Sequence, residues 1–161
     1  MQTGIQIDAG TQRDFGSCGE LARACPPLVE HEPFAYWSFL AGFPNGTLLA
    51  RHEGRDIGFL CSFETPNAAI GRFVWQIGVL EAYRRSGVAM MLLDSLRNHF
   101  PQEPLMSACI DPDNTPSMSL FNRFAERYGG TMHRNEAFTG ELANTPVDEY
   151  GEDFFALEFQ T

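Results

Sequence analysis

The chain of 161 residues is short of positive charge: 11 Lys and Arg stand against 21 Asp and Glu, a formal net charge of −10. A surface that grips nucleic acid or an anionic membrane needs clustered cations to displace counterions, so no nucleic-acid or membrane partner is expected, and a cationic substrate suits the balance better. Surplus acid also keeps a protein soluble, so charge alone identifies no ligand. Cysteine chemistry is thin as well. Cys18, Cys25, Cys61 and Cys109 form no C-x-x-C, and their spacing fits neither a zinc site nor a small disulfide framework; buried thiols in a reducing compartment are the plainer reading. His31, His52, His99 and His133 form no H-E-x-x-H, and no metal is expected. The opening MQTGIQIDAGTQRD lacks the basic segment and apolar run of a signal peptide, and no apolar stretch approaches the ~18 residues of a membrane span, which makes the cytoplasm the expected compartment. Repeats and low-complexity tracts are missing too.

What the chain has is core-forming material: 43% of it is hydrophobic and 12% aromatic, with 14 Phe. That is enough for one domain, residues 1–161, burying roughly two-thirds of its unfolded surface. Ile5 and Ile7 alternate with polar residues as a short first strand over Gly4 to Asp8. Thr11 or Asp14 caps a helix running to Cys25, weakened by Gly16 and Gly19, with Phe15, Leu21, Ala22 and Cys25 on one side and Pro26-Pro27 ending it. Pro33 to Phe43 reads as a short helix whose Phe34, Trp37, Phe39 and Leu40 need an apolar neighbour. Thr47 to His52 and Ile57 to Glu64 are β-rich runs around a hairpin signal, Glu53-Gly54-Arg55-Asp56, and Thr65 to Gly71 is a loop before a strand over Arg72 to Val79. Leu105 to Ile110 is a later strand, and a helix carrying Met118, Phe121, Phe124, Ala125 and Tyr128 stops at Gly129-Gly130. His133 to Gly151 reads as a loose segment before a last strand, Phe154 to Phe159.

The stretch from Phe73 to Phe100, FVWQIGVLEAYRRSGVAMMLLDSLRNHF, stands out. It holds a β-branched and aromatic strand, a polar turn with two arginines, and a helix with an apolar stripe at Ala89, Leu92, Leu93, Leu96 and Phe100. The first N–H groups of a helix are unpaired and its dipole is positive there, so strand, turn and helix start together suggest a phosphate-bearing ligand. A P-loop needs G-x-x-x-x-G-K-[ST] and a dinucleotide fold G-x-G-x-x-G; neither is present. The strand leads instead into Arg84-x-x-Gly87-x-Ala89.

That pattern resembles the R/Q-x-x-G-x-G/A motif of the GNAT N-acetyltransferase superfamily, and the order of elements and the turn at Pro112 to Asn114 are similar to the same superfamily across most of the chain. A narrower resemblance, carried by LARACPPL from Leu21, FVWQIGV, DPDN from Asp111 and LFNRFA from Leu120, is to the L-2,4-diaminobutyrate acetyltransferases of ectoine biosynthesis. The resemblance implies an α/β (α+β) fold with a mixed, mostly antiparallel central sheet of six to seven strands and helices on both faces, the acyl-CoA N-acyltransferase fold. It also implies acetyl-CoA as co-substrate, a small-molecule amine as the other, and a homodimer. Its coenzyme site maps onto Ile77, Gly78 and Val79 at the strand end, beside the thioester, and onto Arg84, Arg85, Ser86, Gly87, Val88 and Ala89 in the turn and helix start, where the pyrophosphate binds. Asn114, Ser117 and Phe121 match further coenzyme positions. Phe121 stands where many members carry the Tyr that protonates the leaving thiolate, leaving Tyr36 and Ser117 as weaker stand-ins. Two acceptor positions also depart: Val29 replaces an Asp after C-P-P-L, and Phe34 replaces a Tyr.

The chemistry needs a deprotonated amine, a stabiliser for the oxyanion and a proton for the thiolate. Backbone N–H groups at Gly78 and Val79 serve as the oxyanion donors in this reading, with a packing role for Gly78 as the alternative. Pantetheine pairs with strand backbone where the fourth and fifth strands diverge. Because a thiol titrates near ~8.5, solvent suffices to protonate the thiolate. Glu30, Glu64 and Asp111 are the carboxylates weighed as the base for an amine titrating near ~10, without a choice among them. Trp75, Glu30, His31 and Tyr36 are the substrate-side residues, Trp75 through packing or a cation–π contact. The function expected is acetyl transfer to a primary amine of a small diamino acid, first L-2,4-diaminobutyrate. The alternatives are a different small amine or amino-acid-like metabolite, and a coenzyme-A-binding module without catalysis.

Overall fold

The burial of successive strand residues decides where the helices can lie. The computed structural model describes residues 4–144 and 151–160, and chain contacts divide it into two units, Met1–Glu64 with Trp75–Pro101 and Thr65–Val74 with Gln102–Thr161. In the first unit β1 (Ile5–Ala9), β2 (Thr47–His52) and β3 (Arg55–Glu64) are antiparallel neighbours, Ile5 opposite His52 and Thr47 opposite Cys61. Ile57 to Ser62 are all buried. Because successive residues of a strand face opposite sides, an unbroken buried run means that both faces are covered here. On one side α1 (Phe15–Ala24) and α2 (Pro33–Gly42) close over Phe59 and Cys61 with Cys18, Leu21, Ala22, Tyr36 and Leu40. α3 (Val88–His99) packs against β1, β2 and β3 and buries Val88, Leu92, Leu93 and Leu96. Each fully buried Leu stabilises by roughly 1.5–3 kcal/mol, so a charge in this stripe would remove much of a typical domain's net stability.

Several boundaries shift from expectation for local reasons. The hairpin turn is two residues, not four: Glu53 (φ 52°) and Gly54 (φ 76°) are both left-handed, while Arg55 and Asp56 already pair with His52 and Arg51. Such a turn matches the twist of the flanking strands and lets them pair up to its edge. In α1, Cys18 takes the inward place expected of Phe15, which is 38% exposed. In α2 Tyr36 and Leu40 are buried and Phe39 packs against the same core, whereas Phe34 and Trp37 are exposed and stack on each other at 5.7 Å. In α3, Val88 rather than Ala89 opens the buried stripe, because the helix starts directly after a left-handed Gly87.

In the second unit the first residues of β4 (Arg72–Val79) run parallel to β5 (Leu105–Ile110), Arg72 opposite Met106 and Val74 opposite Ala108. β7 (Asp153–Glu158) is antiparallel to β5 and to β6 (Thr131–Arg134). α4 (Thr115–Arg127) packs on β6 with Phe121, Phe124 and Ala125 buried. α5 (Glu136–Ala143) packs on β7, where Phe138 meets Phe154 edge-on at 5.0 Å. The hydrogen-bonded strand order is β1-β2-β3-β4-β5-β7-β6, a mixed seven-stranded sheet. The segment expected to be loose, His133 to Gly151, therefore contains part of β6 and all of α5; its residues 145–150, Pro146 among them, lie outside the described ones. β6 has only four residues and gains its bonds from β7, distant in sequence, and α5 depends on Asn135 accepting from the Phe138 N–H at 2.9 Å. Neither signal is a periodicity.

Candidate active site

β4 is the element on which the site is built. Its Trp75 lies under a ring of aromatic groups: His31 at 4.5 Å between centroids, Phe39 at 4.7 Å and Tyr36 at 5.6 Å. Phe39 in turn stacks on Phe63 at 5.3 Å. Aromatic pairs in this range add to the burial of their area, so the cluster is a packed wall that includes a half-buried imidazole. Next to Trp75, the side chain of Gln76 donates to the Val29 carbonyl at 2.8 Å and accepts the Tyr36 hydroxyl at 2.9 Å. The Tyr36 oxygen accepts the His31 N–H at 3.2 Å. Burial is the main cause that pushes the Tyr36 phenol above its usual range, which keeps it a neutral donor.

Where β4 ends, the chain turns through a short 3-10 segment into the start of α3. Leu80 donates to the Ile57 carbonyl at 2.9 Å, a 3-10 turn spans Glu81–Tyr83, and the Tyr83 hydroxyl meets His52 Nδ1 at 3.0 Å, tying the turn to the end of β2. Arg84 folds back, its Nε donating to the Val79 carbonyl at 3.0 Å. Arg85 (φ 66°) and Gly87 (φ 80°) are left-handed, and α3 starts at the next residue with no acidic side chain in its first turn. A Cβ built on Gly87 has nothing within 4 Å, so the glycine answers a backbone angle and leaves open space in front of unpaired helix N–H groups. Two arginines, a positive helix end and no carboxylate in the first helical turn suit a pyrophosphate.

Gly78 has the opposite character. A Cβ there would stand 2.9 Å from Leu28 Cδ1 and 3.2 Å from Cys25 Sγ, so the position is a glycine because the Cys25 to Leu28 turn presses on the strand. Burial raises the Cys25 thiol, against a smaller lowering by Arg84, and pushes Cys18 up to about 12 and Cys61 to about 11. These are neutral packing thiols, and none of the four cysteines is in a disulfide. Among the described residues, no group of three or more His, Cys, Asp or Glu is arranged to hold a metal ion.

The three carboxylates weighed as the base differ in what holds each of them. Glu30 turns to α1, where Arg23 binds it through Nε at 3.1 Å and Nη2 at 2.6 Å and holds its carboxyl below the usual range. Glu64 is an exposed residue at the end of β3. Asp111, in the second unit, accepts from the Asp113 N–H at 2.9 Å in the turn before α4. In the same unit Asn114 caps α4 by accepting from the Ser117 N–H at 3.3 Å, and Phe121 is a core residue. Glu152, also in that unit, is raised by desolvation and then by Asp111. Of the substrate-side residues, Trp75, His31 and Tyr36 come together, and Glu30 points elsewhere. Gln76 was not anticipated; its signal was a lone amide inside an otherwise apolar strand.

A mixed seven-stranded sheet in which β4 starts parallel to β5 and runs into a left-handed turn before α3 is the architecture of the acyl-CoA N-acyltransferases. The model of the Acetyltransferase (GNAT) family matches residues 16–125, and the chain belongs to that family. It is similar to the L-2,4-diaminobutyric acid acetyltransferase of Streptomyces anulatus, 30% identical over 142 residues that cover 86% of this chain and 81% of the relative. The protein of the same name from Streptomyces coelicolor is 30% identical over 141 residues, 85% of this chain and 83% of the relative. Among solved structures, diaminobutyrate acetyltransferase EctA from Paenibacillus lautus, in complex with its substrate L-2,4-diaminobutyric acid and coenzyme A, superposes with a TM-score of 0.83 over 99% of both chains at 24% identity, a likeness of fold.

Proposed function

We propose that this chain is an acetyl-CoA-dependent N-acetyltransferase that acts on a primary amine of a small diamino acid, with L-2,4-diaminobutyrate the first substrate to test. The carrying observation is that one strand, β4, bears an aromatic wall suited to an ammonium at Trp75 and, a few residues on, a left-handed turn opening α3 that is suited to phosphates. The names of the relatives support the choice of amine. Acetyl-CoA supplies the activated acetyl thioester. The chain's part is to bind and orient. Arg84 to Ala89 hold the pyrophosphate, Ile77 to Val79 offer strand backbone to the thioester arm, and Trp75, His31 and Tyr36 receive the amine. The amine lone pair attacks the thioester carbon, the backbone N–H groups at Gly78 and Val79 steady the developing oxyanion, and the C–S bond breaks. Water then protonates the thiolate, since Phe121 carries no proton to give. Asn114, Ser117 and Phe121 belong to the coenzyme side in this reading, and Glu64 and Asp111 remain the carboxylates for proton removal, neither paired with an arginine among the described residues.

A second reading, transfer to a different small amine, is favoured by Val29 and Phe34, which are 64% and 72% exposed and present no polar group where the resemblance calls for Asp and Tyr. We further read residues 1–161 as one N-acetyltransferase domain, since the family match runs through residues of both units, and the protein as a cytoplasmic homodimer. Among the described residues no helix is long and apolar enough to cross a membrane. The test monitors free thiol while the protein is incubated with acetyl-CoA and a panel of diamines, amino acids and aminoglycosides. Turnover with diaminobutyrate supports the first reading, and turnover with another amine only supports the second. Coenzyme binding without turnover sinks both.

A further inference from the structure

We propose that Gln76 is a positioning residue for the acceptor amine. Through Val29 and Tyr36 it pins the loop between α1 and α2, so that His31 stays on Trp75 and the two rings together form the surface that receives the substrate. The proposal rests on the acetyltransferase reading and adds the origin of the acceptor surface to it.

Gln76 is 5% exposed. An amide taken out of water is costly unless it is hydrogen-bonded, whereas an apolar residue at this place would add to the core at no such cost. Both ends of the amide are engaged, and both lead to the same loop. The NH2 group donates to the carbonyl of Val29, and the oxygen accepts from Tyr36, whose own oxygen accepts the N–H of His31. Two backbone groups, two residues apart, are thus tied to a single side chain on β4. The segment between them cannot slide along the strand without breaking one bond. What that segment carries is His31, whose ring lies 4.5 Å from Trp75 at a tilt of 36°. Tyr36 packs on the same indole, at 5.6 Å. An indole face attracts a cation, and an imidazole beside it adds a nitrogen that can accept or donate. The acidic loop neighbour is kept away from this surface, because Glu30 is occupied by Arg23. Acceptor recognition would then depend on the clamp, and coenzyme recognition would not.

The test uses the full chain, with the amine identified in the thiol assay. Gln76→Met keeps volume and removes both bonds; Tyr36→Phe keeps the ring and removes the relay to His31. At saturating acetyl-CoA, Gln76→Met is expected to raise the amine KM about tenfold, and Tyr36→Phe about threefold, with kcat and the acetyl-CoA KM within about twofold of the parent. Adding His31→Ala to Gln76→Met should add little, because Gln76 acts through His31. A readout free of activity accompanies these. In a Trp37→Phe background, which leaves Trp75 as the one tryptophan of the two, acrylamide quenching should at least double, roughly, on Gln76→Met as the loop lifts. Unchanged quenching overturns the clamp. Increased quenching with the amine KM unchanged, or with both KM values raised together, overturns the acceptor role while leaving the acetyltransferase reading intact. If the parent protein turns over no amine at all, the acetyltransferase reading falls and takes the acceptor role with it, whatever the quenching shows.

Discussion

The turn that follows β4 and the loop that lies over its middle are held by different balances of force. From Leu80 to Gly87 most of the shape comes from backbone angles and neighbours close in sequence, where Arg84 bonds Val79, Tyr83 bonds Leu80 and Gly87 sits at φ 80°, with Leu80 to Ile57 and Tyr83 to His52 as its longer ties. Around Trp75 the loop from Leu28 to Glu32 is shaped by bonds that span 40 and 47 residues, Tyr36 to Gln76 and Gln76 to Val29. The first region is a local structure that a short pattern can specify. The second exists only once α2 and the loop have folded against the strand.

Four substitutions sharpen or break that contrast, in falling order of effect. Gly78→Leu should be the most damaging, because its side chain would collide with Leu28 and Cys25; overpacking of this kind costs about 3 kcal/mol, read as a lower urea midpoint at constant slope, and it strikes the loop through the strand. A midpoint left in place would mean that the Cys25 to Leu28 turn yields freely and that the two regions are less coupled than drawn. Gly87→Glu should weaken coenzyme A binding at least about tenfold, ~1.4 kcal/mol, by placing bulk and negative charge before the helix end. Calorimetry on the folded variant checks it, and full affinity would remove the pyrophosphate from this turn. Tyr83→Phe deletes the contact with His52 and should raise the acetyl-CoA KM about twofold with the amine KM unmoved. The reverse pattern would place the turn on the acceptor side. Last, Arg23→Ala frees an exposed Glu30; stability and amine kinetics should stay as they were, whereas a fall in kcat/KM would bring Glu30 back as a working carboxylate.

Much of the fold was legible in advance where period and punctuation agreed. Leu92, Leu93 and Leu96 announced α3, and Arg72 to Val79 announced β4 to the residue. The stretch after His133 was not, because β6 is a four-residue strand held by β7 and α5 a short helix set by one Asn cap. The site divides in the same way. Gly87 was found because a left-handed residue before a helix start leaves a glycine in the pattern. The clamp was missed because Gln76 looks, in one dimension, like an interruption of an apolar strand, and its partners Val29 and Tyr36 lie in a loop and a helix whose spacing says nothing about a strand much later in the chain.

By itself the sequence determined the parts that depend on neighbours within a few residues: the strands and helices with clear period, the arginine-bearing turn, and the family to which these belong. Only the tertiary structure decided which groups share the wall at Trp75, that Glu30 is bound to Arg23 while His31 faces the indole, and that Gly78 is a glycine for want of room. The physical reason is that hydrogen bonds and ring contacts act over a few ångströms of space, while a sequence records distance only along the chain.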